Sequence, residues 1–126
     1  MLFAAREHDL PGRRPLRIWY RVRDLGAALD FYTNVLGFSE TFVDKDDGWI
    51  ALDRGETEIA IGEGEPETGE ESPVATIDVD DVKAERERLA QAQVEVGTVL
   101  ELHGTMRLLD VFDPDGNRLQ LAQDLS

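Results

Sequence analysis

The chain has 126 residues, of which 41% are hydrophobic and 32% are charged, and its formal net charge is −14. A chain of this length forms about one domain with a sizeable core, and this composition is typical of globular proteins. The absence of cysteine excludes disulfides, thiolate metal sites and a cysteine nucleophile. The acidic balance argues against nucleic acid as a partner, because phosphate binding needs clustered lysine and arginine.

The sequence indicates a cytoplasmic protein that does not enter a membrane. Charged residues at positions 6–9 come too early for the apolar core of a signal peptide. No stretch approaches the roughly 20 apolar residues that a membrane span needs. We attribute the acid content to solubility or to a salt-tolerant host, with attraction of a cationic ligand as the alternative.

Residues 1–15 are expected to form an N-terminal extension, because Pro11-Gly12 and Pro15 break regular structure. Its apolar start, Met1–Ala5, suits an added strand, an arm laid on a dimer partner or a frayed terminus. The domain proper is predicted to cover residues 16–126.

The stretch from Leu16 to Phe38 predicts a strand followed by a capped helix. Along Leu16–Arg23 apolar and polar residues alternate, so that Trp19 and Arg21 point away from the face that carries the apolar side chains. Asp24 is a good N-cap, and Gly37 suits the position after a helix. Between them an apolar stripe recurs at helical spacing. Its members are Leu25, Ala28, Leu29, Tyr32, Val35 and Leu36.

A weaker copy of this start returns in the second half of the chain. Val79-Asp80-Asp81-Val82 repeats the pattern of Val22-Arg23-Asp24-Leu25, so we expect one unit of strand, helix and three strands, written twice. Module 1 is predicted over about 16–62, an exposed and mobile acidic linker over 63–73, and module 2 over about 74–123. Predicted strands lie at 39–43, 49–52, 57–61, 74–79, 106–112 and 118–122, with one or two short strands in 94–102. The second helix is predicted from Asp81 to about Gln91 with Val82, Leu89 and Ala90 inward, and the tail 123–126 is expected to be loose.

Two motifs, RVRDLGAALDFYTNVLGF and FDPDGNRLQL, resemble the vicinal oxygen chelate superfamily over about residues 16–123. That superfamily includes glyoxalase I, bleomycin-resistance proteins, fosfomycin-resistance enzymes and extradiol dioxygenases. The resemblance implies an α+β fold in which two βαβββ modules form facing curled mixed sheets around a cleft, with the helices outside. It also implies a homodimer, with the sheets paired either within a chain or across the dimer.

Metal-dependent members of the superfamily hold one divalent ion with His, Gln or Glu on the first and last strand of each module. Aligning the motifs places these positions at Arg17, Ala60, Val74 and Gln120. A guanidinium, a methyl and an isopropyl group offer no ligand atom, and one amide does not hold a divalent ion against water. We therefore predict no metal and no other cofactor. A surface or structural role is favoured for His8 and His103, although His103 could reach the edge of a cleft.

The remaining cleft residues suit a small-molecule site. Tryptophan faces and arginine donors together match a planar ligand that carries an anionic group. The alternative is that the arginines pair internally with Asp78, Asp110 or Glu58 and that the tryptophans fill the core. The predicted ligand-binding residues are Arg17, Trp19, Arg21, Trp49, His103, Arg118 and Gln120.

Two functions follow from these residues. The first is a metal-free protein, similar to the bleomycin-resistance branch, that binds and sequesters a drug or planar metabolite without chemistry. The second is a lyase or dioxygenase-type enzyme of the same superfamily that is metal-independent or uses displaced ligands. We favour the first, because the sequence offers only two histidines and no visible catalytic set. No catalytic residue is assigned.

Overall fold

The computed structural model describes residues 18–126, which form two mixed sheets and two helices. The α+β class is therefore confirmed. Arg17, His8 and the extension lie outside the described residues. The first module contains β1 (Ile18–Val22), α1 (Leu25–Asp30), β2 (Ser39–Asp44), β3 (Trp49–Arg54) and β4 (Thr57–Glu63). The second contains β5 (Ala75–Asp78), α2 (Val82–Gln91), β6 (Glu95–Val96), β7 (Leu100–Leu102), β8 (Met106–Phe112) and β9 (Arg118–Asp124).

The two sheets have the same topology. In the first sheet the strand order is β1-β4-β3-β2, and β1 runs parallel to β4. In the second the order is β5-β9-β8-β6, β7 also pairs with β8, and β5 runs parallel to β9. The repeated unit predicted from the sequence is thus confirmed in element order, with the second strand of module 2 broken into β6 and β7.

The first helix begins as predicted but ends differently. The Asp24 carboxylate accepts a hydrogen bond from the Ala27 amide (3.0 Å), which caps the helix. After Asp30 the chain continues as a π-helical turn, Phe31–Val35, in which the Leu36 amide donates to the Phe31 carbonyl at 3.1 Å. Gly37 then leaves the helix with φ of 78°. The wider turn places the consecutive side chains of Phe31 and Tyr32 in the core.

The second helix is also capped as predicted, with the Asp81 carboxylate accepting from the Ala84 amide. Val82 and Leu89 are buried, but Ala90 is exposed, so its predicted inward position is wrong. The helical advance of about 100° per residue places Ala90 to the side of the stripe, where its methyl group does not reach the core.

One hydrophobic core joins the two modules, and Tyr20 crosses between them. Its hydroxyl donates to the Arg118 carbonyl (2.6 Å) and accepts from the Ala75 amide (2.9 Å). The Tyr20 ring stacks on Tyr32, with centroids 6.3 Å apart. The modules therefore share apolar packing and also satisfy each other's buried polar groups.

The Asp113–Asn117 turn carries a buried carboxylate that links this hairpin to module 1. Asp113 is only 4% exposed and accepts from the Tyr32 hydroxyl at 2.7 Å. It also accepts from the amides of Asp115 and Asn117 and from the Asn117 side chain. The Asn117 Nδ2 donates in addition to the Arg21 carbonyl at 2.9 Å, which fixes the end of β1.

Hydrogen bonds hold the C-terminal tail of the second module in place, which the sequence did not predict. The tail 123–126 was expected to be loose, but Gln123 and Asp124 belong to β9. The Gln123 side chain accepts from the Val82 amide (2.9 Å), and the Leu125 amide donates to the Thr105 carbonyl (2.9 Å). These partners lie far away in sequence, so local composition gave no sign of them. The linker residues after Glu63 are mostly exposed, as expected.

Replacing Tyr32 with phenylalanine is expected to lower the free energy of unfolding by about 1–3 kcal/mol, because the Asp113 carboxylate loses a buried donor. Urea unfolding followed by circular dichroism measures the change. Thr33→Ala is the control. It removes a hydroxyl from the same turn, but that hydroxyl donates only to carbonyls of the preceding helical turn, such as that of Leu29. An unfolding free energy equal to that of the unmodified protein would contradict the role assigned to Tyr32.

The two tyrosines, which are all that the chain contains, also predict a pH dependence. Burial raises the pKa of Tyr20 to about 12, and burial beside the Asp113 carboxylate raises the pKa of Tyr32 well above its usual value. Unfolded tyrosines lose their protons near pH 10, so this contribution to stability is complete below about pH 10 and is lost as the pH rises through 12. Tyrosinate absorbance should therefore appear only as circular dichroism reports unfolding. Tyrosinate formed near pH 10 in a folded protein would contradict this network.

Candidate ligand-binding site

Aromatic side chains cover the face of the first sheet that points away from the core. Cross-strand register aligns Trp19 with Ala60, Ala60 with Ala51, and Ala51 with Phe42. The two alanines are at most 2% exposed, whereas Trp19 is 40% and Phe42 is 52% exposed. The Trp49 ring lies between the two exposed rings, with its centroid 5.0 Å from that of Trp19 and 5.2 Å from that of Phe42. We call Trp19, Phe42 and Trp49 the aromatic platform.

Gly62 lets three side chains pack closely at the edge of this platform. A Cβ atom at Gly62 would lie 3.5 Å from Nη1 of Arg21, 3.7 Å from Cβ of Trp49 and 3.8 Å from Cζ3 of Trp19. These three side chains therefore converge over a residue that has no side chain. The absence of a side chain at Gly62 lets a guanidinium group lie next to two indole rings.

Arg21 has different surroundings from the other described arginines. Within residues 18–126 its guanidinium makes no hydrogen bond and no ion pair. Every other arginine in this range donates to a carboxylate or to a backbone carbonyl. These are Arg23, Arg54, Arg86, Arg88, Arg107 and Arg118. Arg21 is thus the described arginine whose donors are available to a ligand.

A cavity of about 620 Å³ runs along β1, with Trp19 and Arg21 on one wall. The other wall comes from the acidic linker, including Glu67, Glu71 and Pro73. A neighbouring cavity of about 380 Å³ shares the linker wall and extends to Arg118. The larger volume lies within the range of small-molecule sites. The linker, predicted only as a connection, is therefore also part of the candidate site.

The structure brings some of the predicted site residues together and separates others. Trp19, Arg21 and Trp49 converge at Gly62. Arg118 lines the smaller cavity, but it forms an ion pair with Asp110 (3.3 Å), which is one of the internal pairings considered above. Gln120 is partly buried on β9 between Thr76 and Asp110. His103 lies exposed in the turn between β7 and β8 with φ of 51° and does not line either cavity.

Besides the linker, two parts of the candidate site were not identified from the sequence. Phe42 was placed only within a strand, because a register shift between Glu40 and Phe42 interrupts simple alternation in β2. Gly62 was placed just after the predicted strand 57–61, but it belongs to β4. The glycine-rich end of a strand is a sign of a close approach, and this sign was available in the sequence.

The sequence matches the family model of the Glyoxalase/Bleomycin resistance protein/Dioxygenase superfamily over residues 14–121. The chain belongs to this superfamily. A search of curated proteins finds no significant match. No helix within residues 18–126 is long and apolar enough to span a membrane.

Solved structures of the superfamily share the fold at low identity. The fosfomycin resistance protein FosX from Listeria monocytogenes is 18% identical, with a TM-score of 0.73 over 88% of this chain and 93% of that chain. A superfamily member from Sphaerobacter thermophilus is 22% identical, with a TM-score of 0.70 over 87% of this chain and 98% of that chain. Lactoylglutathione lyase from Agrobacterium tumefaciens is 16% identical, with a TM-score of 0.67 over 90% of this chain and 96% of that chain. At these identities the likeness concerns the fold.

The side chains at the four positions predicted above for a metal do not fit a divalent ion. Ala60 is fully buried, and its neighbour in the register is Trp19. The side chain of Val74 contains only carbon atoms and offers no ligand atom. Of the described positions, Gln120 alone carries an amide that could bind a metal. Arg17 lies outside the described residues. Within residues 18–126 no group of three His, Cys, Asp or Glu side chains could hold a metal.

We expect dialysed protein to retain no stoichiometric zinc, nickel, iron or manganese, because a single neutral amide competes poorly with water for these ions. Elemental analysis of the purified protein measures the content. The Gln120→Leu variant serves as the control and should give the same background. Metal at one equivalent per chain, lost in Gln120→Leu, would contradict the prediction.

Proposed function

We propose that this protein is a small-molecule binding protein of the superfamily that lacks the metal site and sequesters a drug or planar metabolite. The observation that carries the proposal is Arg21, a cation without a described partner, next to Trp19 at the wall of a cavity. Aromatic and anionic character in the ligand would match these two side chains.

The chemistry of the site supports capture rather than reaction. An indole face stacks with a planar ring of any identity, and a guanidinium group binds a carboxylate or phosphate through two parallel hydrogen bonds. Both interactions stabilise a bound molecule without changing its bonds. In the described region the one histidine, His103, lies in an exposed turn away from these side chains, so it does not supply a general base there.

We also propose that the protein acts as a cytoplasmic homodimer. Val43 is 38% exposed and Leu100 is 55% exposed, and each lies on an outer strand of its sheet. Exposed apolar side chains of this size favour burial against a partner. The acidic surface, with a net charge of −14, keeps such dimers apart in solution.

An enzyme of the same superfamily is the second candidate, because two structures with this fold are named as a lyase and as a fosfomycin resistance protein. Such an enzyme would be metal-independent or would use ligands at other positions. A metal-dependent enzyme would retain metal in the elemental analysis described above, whereas the metal-free binding protein would not. A metal-independent enzyme would convert a bound ligand to a product, whereas the binding protein would release it unchanged.

A thermal-shift screen of anionic aromatic compounds, with bleomycin as the cationic comparison, tests the binding function. Anionic aromatics are expected to raise the melting temperature, because a ligand that binds only the folded state stabilises it. Arg21→Met should weaken binding of such a compound by roughly tenfold or more through loss of a charged hydrogen bond. Trp19→Ala should do the same through loss of the ring contact.

Arg107→Met is the matched control, since Arg107 pairs with Glu101 and does not line the cavity. It should leave the affinity unchanged. Equal affinity in Arg21→Met, Trp19→Ala and the unmodified protein would remove both residues from the site. Stabilisation by bleomycin but not by anionic aromatics would contradict the proposed ligand class.

A further inference from the structure

The cavity along β1 carries opposite charges on its two walls. Arg21 lies on the strand wall, and Glu67 and Glu71 lie on the linker wall. The strand wall also contains Trp19. A molecule in this cavity would therefore meet a cation and a ring on one side and carboxylates on the other.

Hydrogen bonds hold the linker segment that carries Glu67 and Glu71 in a turn. At its start the Gly64 amide donates to the Val22 carbonyl at 2.9 Å, which anchors it to the end of β1. The Ser72 hydroxyl donates to the Glu67 carbonyl at 2.7 Å, and the Ser72 amide donates to the Gly69 carbonyl at 3.0 Å. These bonds close the segment that contains Glu67 and Glu71 into a compact turn.

The charges on the two walls do not neutralise each other. Arg21 makes no ion pair in the described part of the chain, and over the same residues the carboxylates of Glu67 and Glu71 make none either. An arginine after β1 and a linker glutamate do approach each other close by, since the Arg23 guanidinium lies 4.0 Å from the Glu65 carboxylate. One cation and two acidic residues thus line the same cavity, whose volume of about 620 Å³ is of small-molecule size.

We infer that the ligand is a small zwitterion with a planar ring, whose anionic group binds Arg21, whose ammonium group binds Glu67 or Glu71, and whose ring packs on Trp19. This inference rests on the proposed binding function and names its ligand class. A purely anionic ligand would lie beside two carboxylates in a chain of net charge −14, and a purely cationic ligand would lie beside Arg21. A zwitterion satisfies both walls.

Isothermal titration of the full chain with three related probes tests this inference. Phenylalanine carries both charges, N-acetylphenylalanine carries only the carboxylate, and phenylalanine amide carries only the ammonium group. Phenylalanine is expected to bind roughly tenfold or more tightly than either derivative, since each derivative loses one charged contact. Alanine, a zwitterion without a ring, should bind more weakly than phenylalanine.

The double substitution Glu67→Gln with Glu71→Gln should abolish the preference for phenylalanine over N-acetylphenylalanine. The control is Glu56→Gln with Glu87→Gln, which changes the net charge equally at residues that do not line the cavity. The control should keep the preference. Loss of preference in both double variants would assign the effect to overall charge and would overturn the inference.

The failure of this inference can be distinguished from failure of the proposed function. Tight binding of N-acetylphenylalanine that is lost in Arg21→Met overturns the zwitterion but supports an anionic aromatic ligand. Binding of all three probes that is unchanged in Arg21→Met and in Trp19→Ala overturns both. Absence of binding by every probe overturns the zwitterion, and the screen of anionic aromatics then decides the binding function.

Discussion

The buried carboxylate of Asp113 is the interaction on which the geometry of this protein depends. A carboxylate removed from water is costly unless donors surround it, and here a tyrosine hydroxyl, an asparagine side chain and two backbone amides do so. The tyrosine comes from the π-helical turn of module 1 and the other donors from the hairpin of module 2. The same Asn117 also holds the Arg21 carbonyl. The packing of the modules and the position of β1 are therefore fixed together.

The fixed position of β1 gives its two faces different surroundings. Tyr20 and Val22 enter the shared core, while Trp19 and Arg21, one residue away from each, face outward. A slip of one residue would exchange these sets and would place Trp19 and Arg21 where Tyr20 and Val22 now pack. The cavity is lined by Trp19 and Arg21 and also by Ile18 and Tyr20, so the candidate site depends on the register that the core contacts of Tyr20 set.

Local patterns predicted most of the fold because they report on single elements. The caps at Asp24 and Asp81, the alternation in β1 and the Asp113–Asn117 turn each depend on residues close in sequence. The π-helical turn, the exposed Ala90 and the ties of the tail depend on contacts between distant segments, which periodicity does not report. The same limit applied to the site. Arg21 and Arg118 were equivalent in the sequence, but Asp110 lies diagonally across the β8–β9 pair from Arg118 and forms an ion pair with it, whereas no described acid does so with Arg21.

Gly62 lies buried beneath three side chains of the candidate site, those of Trp19, Arg21 and Trp49. The contacts that a methyl group would make there, at 3.5–3.8 Å, are ordinary van der Waals distances, so alanine fits, whereas a larger side chain would displace these neighbours. A substitution at this one backbone position would therefore move the guanidinium and the indole rings relative to each other while leaving their chemistry the same.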